Sequence, residues 1–448
     1  MDVLVIGAGL AGFCASLAAL SAGASVTLLE KQEEVGGSTV LSGGAMAFAG
    51  TAEQAAAGIS DSPERLREDL LRVGERRNDP ALVDAYVAAQ AATHAWLREQ
   101  GVRFTSVQLG GGQSVPRSNR VDTRQMIGAL RARAEADPRV RLRTGLGARR
   151  LLVEEGRVVG AGLADGSRAA ARHGVVLATG GFSRDEALLA LFAPAQRNAL
   201  RIGGRGNVGD GLRMAWALGA GLADVGYIRG TFGTHPAAGP EQLAIIHPIY
   251  KGAIAVNRQG RRFVDESVSY KIIGDACLRQ PEALAFQIFD HAVMDLSVPG
   301  VATSDMRAGL EDGRVIQAPS LEALAERAGI DAAGLLATVA RYNADVARGR
   351  DSEFGRETVA GGYGALRPIA TAPFYAFPST SVVLATYGGL TVDPAMRVTD
   401  VFGAPIPGLY AAGEVTGGLH GAAYMTGSSL GKSAIFGRIA GRSAAEGR

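Results

Sequence analysis

Val3-Leu4-Val5-Ile6-Gly7-Ala8-Gly9-Leu10-Ala11-Gly12 decides the fold once it is set beside Val26-Thr27-Leu28-Leu29-Glu30. Four apolar residues in a row suit a central parallel strand, buried on both faces. The glycines follow as G-x-G-x-x-G, an Ala/Leu-rich helix runs to about Ser21, and a second apolar strand ends in an acid. Gly7 permits the tight turn, Gly9 lets backbone approach a pyrophosphate, and Gly12 lets the helix pack on the strand. The helix N-terminus, with Ala11 in its first turn, faces the anion. Glu30, with Lys31 beside it, can accept hydrogen bonds from a ribose. Strand, glycine turn, helix, strand and acid together specify dinucleotide binding in an α/β fold.

Composition narrows the class. In 448 residues, 46 Lys and Arg nearly balance 44 Asp and Glu without a basic run. That argues against nucleic acid or an anionic membrane surface as partners. Two cysteines, Cys14 and Cys277, exclude a disulfide framework, a four-thiolate zinc site and an iron–sulfur cluster of the chain's own. The six histidines show no metal-binding spacing. Val3 to Leu29 carries no charge, but glycines at turn spacing oppose a membrane span, and Met1-Asp2 lacks a signal peptide's basic start. A cytoplasmic protein with no membrane span is expected.

A second glycine loop follows the acid directly. Its Gly37, Ser38, Thr39, Ser42, Gly43 and Gly44 offer amides and hydroxyls to further phosphate and flavin contacts. The alternative is a flexible loop, which apolar Val40 and Leu41 oppose. Gly174–Phe182 is another buried strand ending in a glycine turn, with Thr179 and Gly180 at its tip, and Gly408–Glu414 repeats the theme, ending in Gly413 and Glu414. Separated segments of this kind, converging on one extended ligand, are the habit of FAD proteins. Helical periodicity marks 62–77, 80–100 and 123–135. Residues 148–172 read as a β-meander, whose first residue, Ala148, is grouped with the cofactor segments. Residues 227–376 differ: Pro and Gly punctuate 230–248, a strand is expected at 253–257, and helices near 321–328 and 331–348. The expected organisation is an FAD-binding domain over 1–226 and 377–448, interrupted by an α+β capping domain over 227–376.

At this point the sequence resembles the flavoprotein superfamily of fumarate reductase, succinate dehydrogenase and 3-ketosteroid dehydrogenase. The shared blocks are Gly7–Gly12, Glu30, Gly36–Gly44, Ala178–Gly181, Val208–Gly211, Gly260–Phe263, Ala411–Gly418 and Phe436–Arg438, spread over essentially the whole chain. The resemblance implies a Rossmann-type, glutathione-reductase-like FAD domain, with Asp210 and Glu414 near the ribityl and phosphate region of the flavin. Covalent flavin in this family hangs from a histidine after the acid. Residues 31–50 contain none, so non-covalent FAD is expected.

The resemblance also implies the chemistry. Fumarate reductases clamp two substrate carboxylates with arginines and histidines. The family's clamp arginine falls here on Tyr424, its histidine on Ala385 and its proton-donating arginine on Ile249, with His235 and Lys251 nearby but off register. Fumarate reduction is not expected. In 3-ketosteroid dehydrogenases a tyrosine hydroxyl and a glycine amide of this C-terminal loop hold the substrate carbonyl, which maps onto Tyr424 and Gly427, one residue closer together than in that family. The family's base, a tyrosine beyond the Arg-Arg-Phe block, maps onto Tyr270, with Tyr250 and Tyr387 in reserve. A polarised ketone has an acidic α-hydrogen; a base removes it while hydride leaves the β-carbon for flavin N5.

One departure concerns the substrate. The steroid enzymes carry a further tyrosine before the 123–135 helix, whereas 101–122 here has Arg117 and Arg120 and no tyrosine. Either these arginines lie on a solvated loop, or one meets a carboxylate, as a 4-oxocyclohexanecarboxylate-type desaturase would require. The expected activity is FAD-dependent desaturation of a cyclic ketone such as a 4-oxocyclohexanecarboxylate or a 3-ketosteroid, with an unidentified electron acceptor. The alternatives are an ene-reductase of an activated alkene and a flavoprotein subunit of an electron-transfer complex.

Thr426–Ser433, Thr-Gly-Ser-Ser-Leu-Gly-Lys-Ser, looks like a phosphate loop, but its glycines enclose three residues where that motif needs four. Ser428, Ser429 and Leu430 are instead expected to open a helix whose amides face the flavin pyrimidine, where negative charge gathers on reduction.

Overall fold

A computed structural model of the chain describes residues 1–228, 230–239, 244–301, 303–359 and 364–447; of the punctuated stretch at 230–248, residues 240–243 lie outside it. The Val3–Ile6 strand is buried throughout and lies parallel between Val26–Leu29 and Gly174–Leu177. Its apolar run follows from having a neighbour on each edge and a layer on each face. The chain divides into two compact units. The first comprises Met1–Ala193, Gly203–Ile228 and Ala385–Arg448, and the second Pro194–Ile202 with Arg229–Leu384.

The first unit is built on a six-stranded sheet in the order Arg397–Thr399, Pro405–Ala411, Gly174–Leu177, Val3–Ile6, Val26–Leu29, Val140–Arg143. All neighbours are parallel except the first pair. Two helices of this unit, Leu10–Ser21 and Ser428–Glu446, pack at the closest approach backbones allow. A Cβ added at Gly437 would lie 2.5 Å from the Ala11 carbonyl oxygen, and one at Gly441 2.0 Å from that of Ala15. Helix starts follow local chemistry. Ser62 and Asp79 accept amide hydrogens of Arg65 and Ala81, each just before a proline at the first helical position, giving Pro63–Val73 and Pro80–Glu99. The first of these ends earlier than its periodicity suggested, because Glu75 and Arg76 adopt φ of 54° and 53°. The meander forms as Ala148–Glu154, Arg157–Leu163 and Arg168–Ala170.

Residues 101–122, which sequence alone left as a polar loop, instead supply two strands of a three-stranded sheet: Ala45–Ala47, Ser118–Val121 and Phe104–Gln108. Buried Asn119 ties it down by donating to the carbonyls of Phe48 and Arg117 at 3.1 and 2.9 Å.

In the second unit, strand Phe374–Val383 runs ten residues and pairs with Leu200–Arg201, Thr231–Thr234, Ala285–Phe289 and Ile316–Ala318. The chain therefore returns to the first unit at Ala385 and not at Phe377, which lies inside this strand. Leu200–Arg201 goes with the second unit for the same reason. Strand alternation feeds two cores: Ala253 and Ala255 join Phe232, Ile249, Ile273 and Phe377, while Ile254 and Val256 join Leu324, Leu335 and Tyr342.

Candidate active site

Ile6 passes into Gly7 at φ +107°, where a Cβ would sit 2.3 Å from the Ala178 oxygen. At Gly12 it would sit 1.8 Å from the Gly7 oxygen, so a side chain there would push helix and strand apart. Gly9 is different. The nearest atoms to a Cβ there are the Gly36 oxygen and Thr39 Oγ1, both at 3.8 Å, so the space over its backbone admits a Cβ at ordinary contact distance. Thr39 Oγ1 accepts the Leu10 amide at 3.2 Å, and no side chain caps the helix from Gly9. The amides of Ala11 and Gly12 thus end the helix with its positive pole toward that space. Glu30 fixes the turn from behind, accepting from the amides of Ala8 and Gln32, each at 2.9 Å. Gly413 backs onto the same helix start, where a Cβ would lie 2.8 Å from that of Ala11.

A second cluster forms around Glu414. Asn207 donates to its two carboxylate oxygens at 3.1 and 3.0 Å and to Ser38 Oγ at 3.0 Å, and the Thr386 amide donates to it at 2.9 Å. Ser38 Oγ also accepts from the Gly204 amide at 3.1 Å. Burial raises the pKa of Glu414, against those donors and the charge of Lys432. Gly180 passes so close that a Cβ there would meet Asn207 Oδ1 at 2.3 Å. Thr179 Oγ1 is buried without a partner, and Lys31 pairs with Asp210. Ala148 lies two residues beyond Leu146, whose amide donates to the Glu30 oxygen at 2.9 Å. Ser42 Oγ donates to the Thr39 oxygen at 2.8 Å, and Gly44 turns at φ +71° against Val121, with Gly43 beside it. Asn207, Thr386 and Gly204 were missed from sequence, although Gly203-Gly204-Arg205-Gly206-Asn207 carried the signal. The helix pole at Ala11 and Gly12, with the buried Thr179 hydroxyl that has no partner among the described residues, suits an extended ligand with a pyrophosphate and a hydroxylated linker. FAD has that chemistry.

The C-terminal loop of the same unit brings three rings together. Tyr424 stacks on Tyr387 with centroids 5.5 Å apart and planes 2° from parallel, and His420 meets both edge-on at 5.7 and 5.6 Å. Burial holds the His420 pKa well below its ordinary value, so the ring is neutral; its Nδ1 lies 3.3 Å from Ser428 Oγ. Tyr424 Oη accepts the Gly427 amide at 3.0 Å. Sequence set these two groups side by side as joint donors to one oxygen; instead the amide donates into the hydroxyl. An N–H donated to a phenolic oxygen polarises its O–H, so the glycine acts through the tyrosine. Burial pushes the Tyr424 pKa up to about 12 despite that amide and the Ser429 hydroxyl. Gly427, at φ +87°, precedes the Ser428–Glu446 helix, which no side chain caps. Ser428 turns inward, its amide and Oγ both donating to the Met425 oxygen at 3.1 and 2.7 Å, while Ser429 and Leu430 continue the first turn.

The second unit carries the other tyrosines. Tyr270 opens the Tyr270–Leu278 helix, and its amide donates to Tyr250 Oη at 3.1 Å. His247 stacks on Tyr270 at 5.7 Å, lies 5.1 Å from the Tyr250 ring, and bonds the Phe232 oxygen through Nε2 at 2.8 Å. Burial lowers its pKa to about 4. Lys271 Nζ donates to Thr231 Oγ1 at 2.8 Å and stands 5.4 Å over the Tyr270 ring. Burial lowers the Lys271 pKa, while Tyr270 and Asp275 oppose the shift. Ile249 is fully buried. Its turn is fixed by Arg356, also fully buried, which donates to the oxygens of Ile249 and Ala253, each at 3.1 Å. Glu266 pairs with Arg356 at 3.2 Å and with Arg262 at 2.6 Å, and Arg262 pairs in turn with Asp351 at 2.9 Å. The Arg-Arg-Phe block therefore anchors a buried ion network and holds the turn that bears Tyr250 and Lys251.

The family model for the FAD binding domain matches residues 2–430 of the chain. The chain belongs to this family. As an FAD-dependent oxidoreductase it has the α/β, Rossmann-type fold with an inserted α+β capping domain. Fumarate reductase (cytochrome) of Shewanella frigidimarina is 35% identical over 427 residues, covering 93% of this chain and 72% of that one. The 4-oxocyclohexanecarboxylate 2-dehydrogenase of Sinomonas cyclohexanicum is 29% identical, covering 93% and 87%. The crystal structure of a 3-ketosteroid-Δ4-(5α)-dehydrogenase from Rhodococcus jostii superposes with a TM-score of 0.79 at 29% identity, over 99% of this chain and 96% of that one. No helix among the described residues of the flavoprotein is long and apolar enough to cross a membrane, and no group of three or more potential metal ligands occurs among them.

One candidate of the flavoprotein is withdrawn. Arg117 is fully buried and pairs with Asp61 through two bonds of 3.0 and 2.9 Å and with Asp69 at 2.9 Å. A guanidinium already satisfied by two buried carboxylates cannot also receive a substrate's. The solvated-loop alternative fails for it equally. Arg120 stays half-buried, next to Gly43.

Proposed function

We propose that this flavoprotein catalyses α,β-dehydrogenation of a cyclic ketone, such as a 4-oxocyclohexanecarboxylate or a 3-ketosteroid. The observation that carries the proposal is Tyr424, a half-buried phenol with an amide donated into its oxygen, at the position where the family resemblance implies an arginine in fumarate reductases. Tyr424 donates to the ketone oxygen, and enolate charge developing there is stabilised. Tyr270 accepts the α-proton as that C–H bond breaks. Bound FAD supplies the two-electron acceptor, taking the β-hydrogen as hydride at N5 while the C=C bond forms. Likeness to a 4-oxocyclohexanecarboxylate 2-dehydrogenase and a ketosteroid dehydrogenase supports this reading.

The second reading, reduction of an activated alkene, draws support from the 35% identity to a fumarate reductase. The residues oppose a dicarboxylate: Ile249 is sealed in a core and position 385 is alanine. Purified protein assayed with cyclic ketones and an artificial acceptor, and with fumarate and a reduced dye, decides between them. Ketone oxidation without useful fumarate turnover is expected; fumarate turnover matching that of any ketone overturns the proposal. The flavin is proposed to be non-covalent, so acid precipitation releases all the yellow colour, and colour kept in the pellet refutes it.

A further inference from the structure

Arg120 lies inside the Ser118–Val121 strand, whereas Arg117 precedes it. Arg117 is committed to Asp61 and Asp69. Arg120 shares its face with Ser118, and pairing with Ala45–Ala47 sets Arg120 opposite Ala45 and Ser118 opposite Ala47. At the Ser118 end of that face lies the Tyr424–Gly427 loop. The Ala47 amide donates to the Gly427 oxygen at 3.0 Å, and Gln113 Nε2 bridges Ser118 Oγ and the Thr426 oxygen at 2.9 and 2.8 Å. Two residues along a strand is about 7 Å. The backbone of Arg120 is therefore about 7 Å along the strand from Ser118, the residue that reaches the loop carrying the ketone donor. Its Nη1 lies 3.8 Å from where a Gly43 Cβ would stand. Among the described residues Arg120 has no ion-pair partner, although it is half-buried. A cation held partly out of water in that way is a standing receptor for an anion, and a planar guanidinium suits a carboxylate.

We infer that Arg120 receives a substrate carboxylate, so the substrate is a cyclic keto acid and not a neutral steroid ketone. This rests on Tyr424 holding the ketone, and it goes further by naming the group at the other end of the molecule. The test uses binding to the FAD-loaded enzyme, followed by flavin absorbance, with 4-hydroxybenzoate and 4-hydroxybenzamide as paired probes that differ only in the anion. The wild type should prefer the carboxylate. Arg120→Gln should weaken 4-hydroxybenzoate by about 10–100-fold, the scale of a lost hydrogen bond to a charged group, and leave the amide nearly unchanged. Arg120→Lys should recover part of the loss. No preference in the wild type, no binding of the carboxylate, or equal weakening of both probes by Arg120→Gln overturns the inference. So does lost FAD content with the preference intact, which would make the cofactor's phosphate the anion. Because binding is read, failure of ketone oxidation would refute the reaction while leaving this result to stand or fall alone.

Discussion

The two tyrosine clusters are built from the same parts and differ in the partner each adds. Each holds two tyrosines and a buried histidine kept neutral by desolvation, His420 in the first unit and His247 in the second. Around Tyr424 the added partner is an amide donating into the phenolic oxygen, in surroundings that raise its pKa to about 12. Such a phenol keeps its proton and gives a strong O–H bond. Around Tyr270 the added partner is the Lys271 ammonium over the ring. A cation there favours the phenolate, which is what a base requires. In the proposed reaction, neighbours would decide which tyrosine donates and which takes the proton, since the side chain is identical.

The comparison breaks most directly at the base. Tyr270→Phe should abolish both flavin reduction by ketone and exchange of the substrate's α-hydrogens with deuterated solvent. Wild-type flavin reduction in that variant would move the base elsewhere, with Tyr250 and Tyr387 next. Tyr424→Phe should lower turnover by about 10²–10³, the usual effect of losing one oxyanion donor, and slow exchange without stopping it. Abolition as complete as for Tyr270→Phe would erase the distinction.

Lys271→Met should have a smaller effect. An unperturbed phenol ionises near pKa ~10, so the rate rises toward alkaline pH as the base loses its proton. Removing the cation should move that rise to higher pH, by about one unit or more, and Lys271→Arg should restore it. An unchanged profile would show that the ammonium only packs. The smallest expected effect concerns the histidines. With the His247 pKa lowered to about 4 and that of His420 also depressed, both rings have lost their protons well below neutrality. The pH–rate profile should therefore show no limb at the ordinary histidine value of about 6.5. A limb there that disappears in His247→Asn would make the second cluster a histidine device.

The sequence alone determined the dinucleotide-binding strand, turn and helix, which depend on spacing, but not every element boundary. Gly7, Gly9 and Gly12 are legible from their spacing between an apolar strand and a helix, and at Gly7 and Gly12 contact distances leave no room for a side chain. Glu30 is legible because it follows an apolar strand where a dinucleotide fold needs an acid, and Glu414 through the glycine segment that the family resemblance picks out. What only the tertiary structure decided depends on side chains brought from distant parts of the chain. Asn207, Thr386 and Glu414 join through hydrogen bonds across 28 and 207 positions. The Gly427 amide could have faced a substrate, and the fold turned it onto Tyr424. Arg117 and Arg120 read alike in one polar stretch, and the fold separated them by pairing Arg117 with Asp61 and Asp69 while setting Arg120 in a strand opposite Ala45. A strand's alternation is invisible until its pairing is known, because one residue of slip exchanges the two faces.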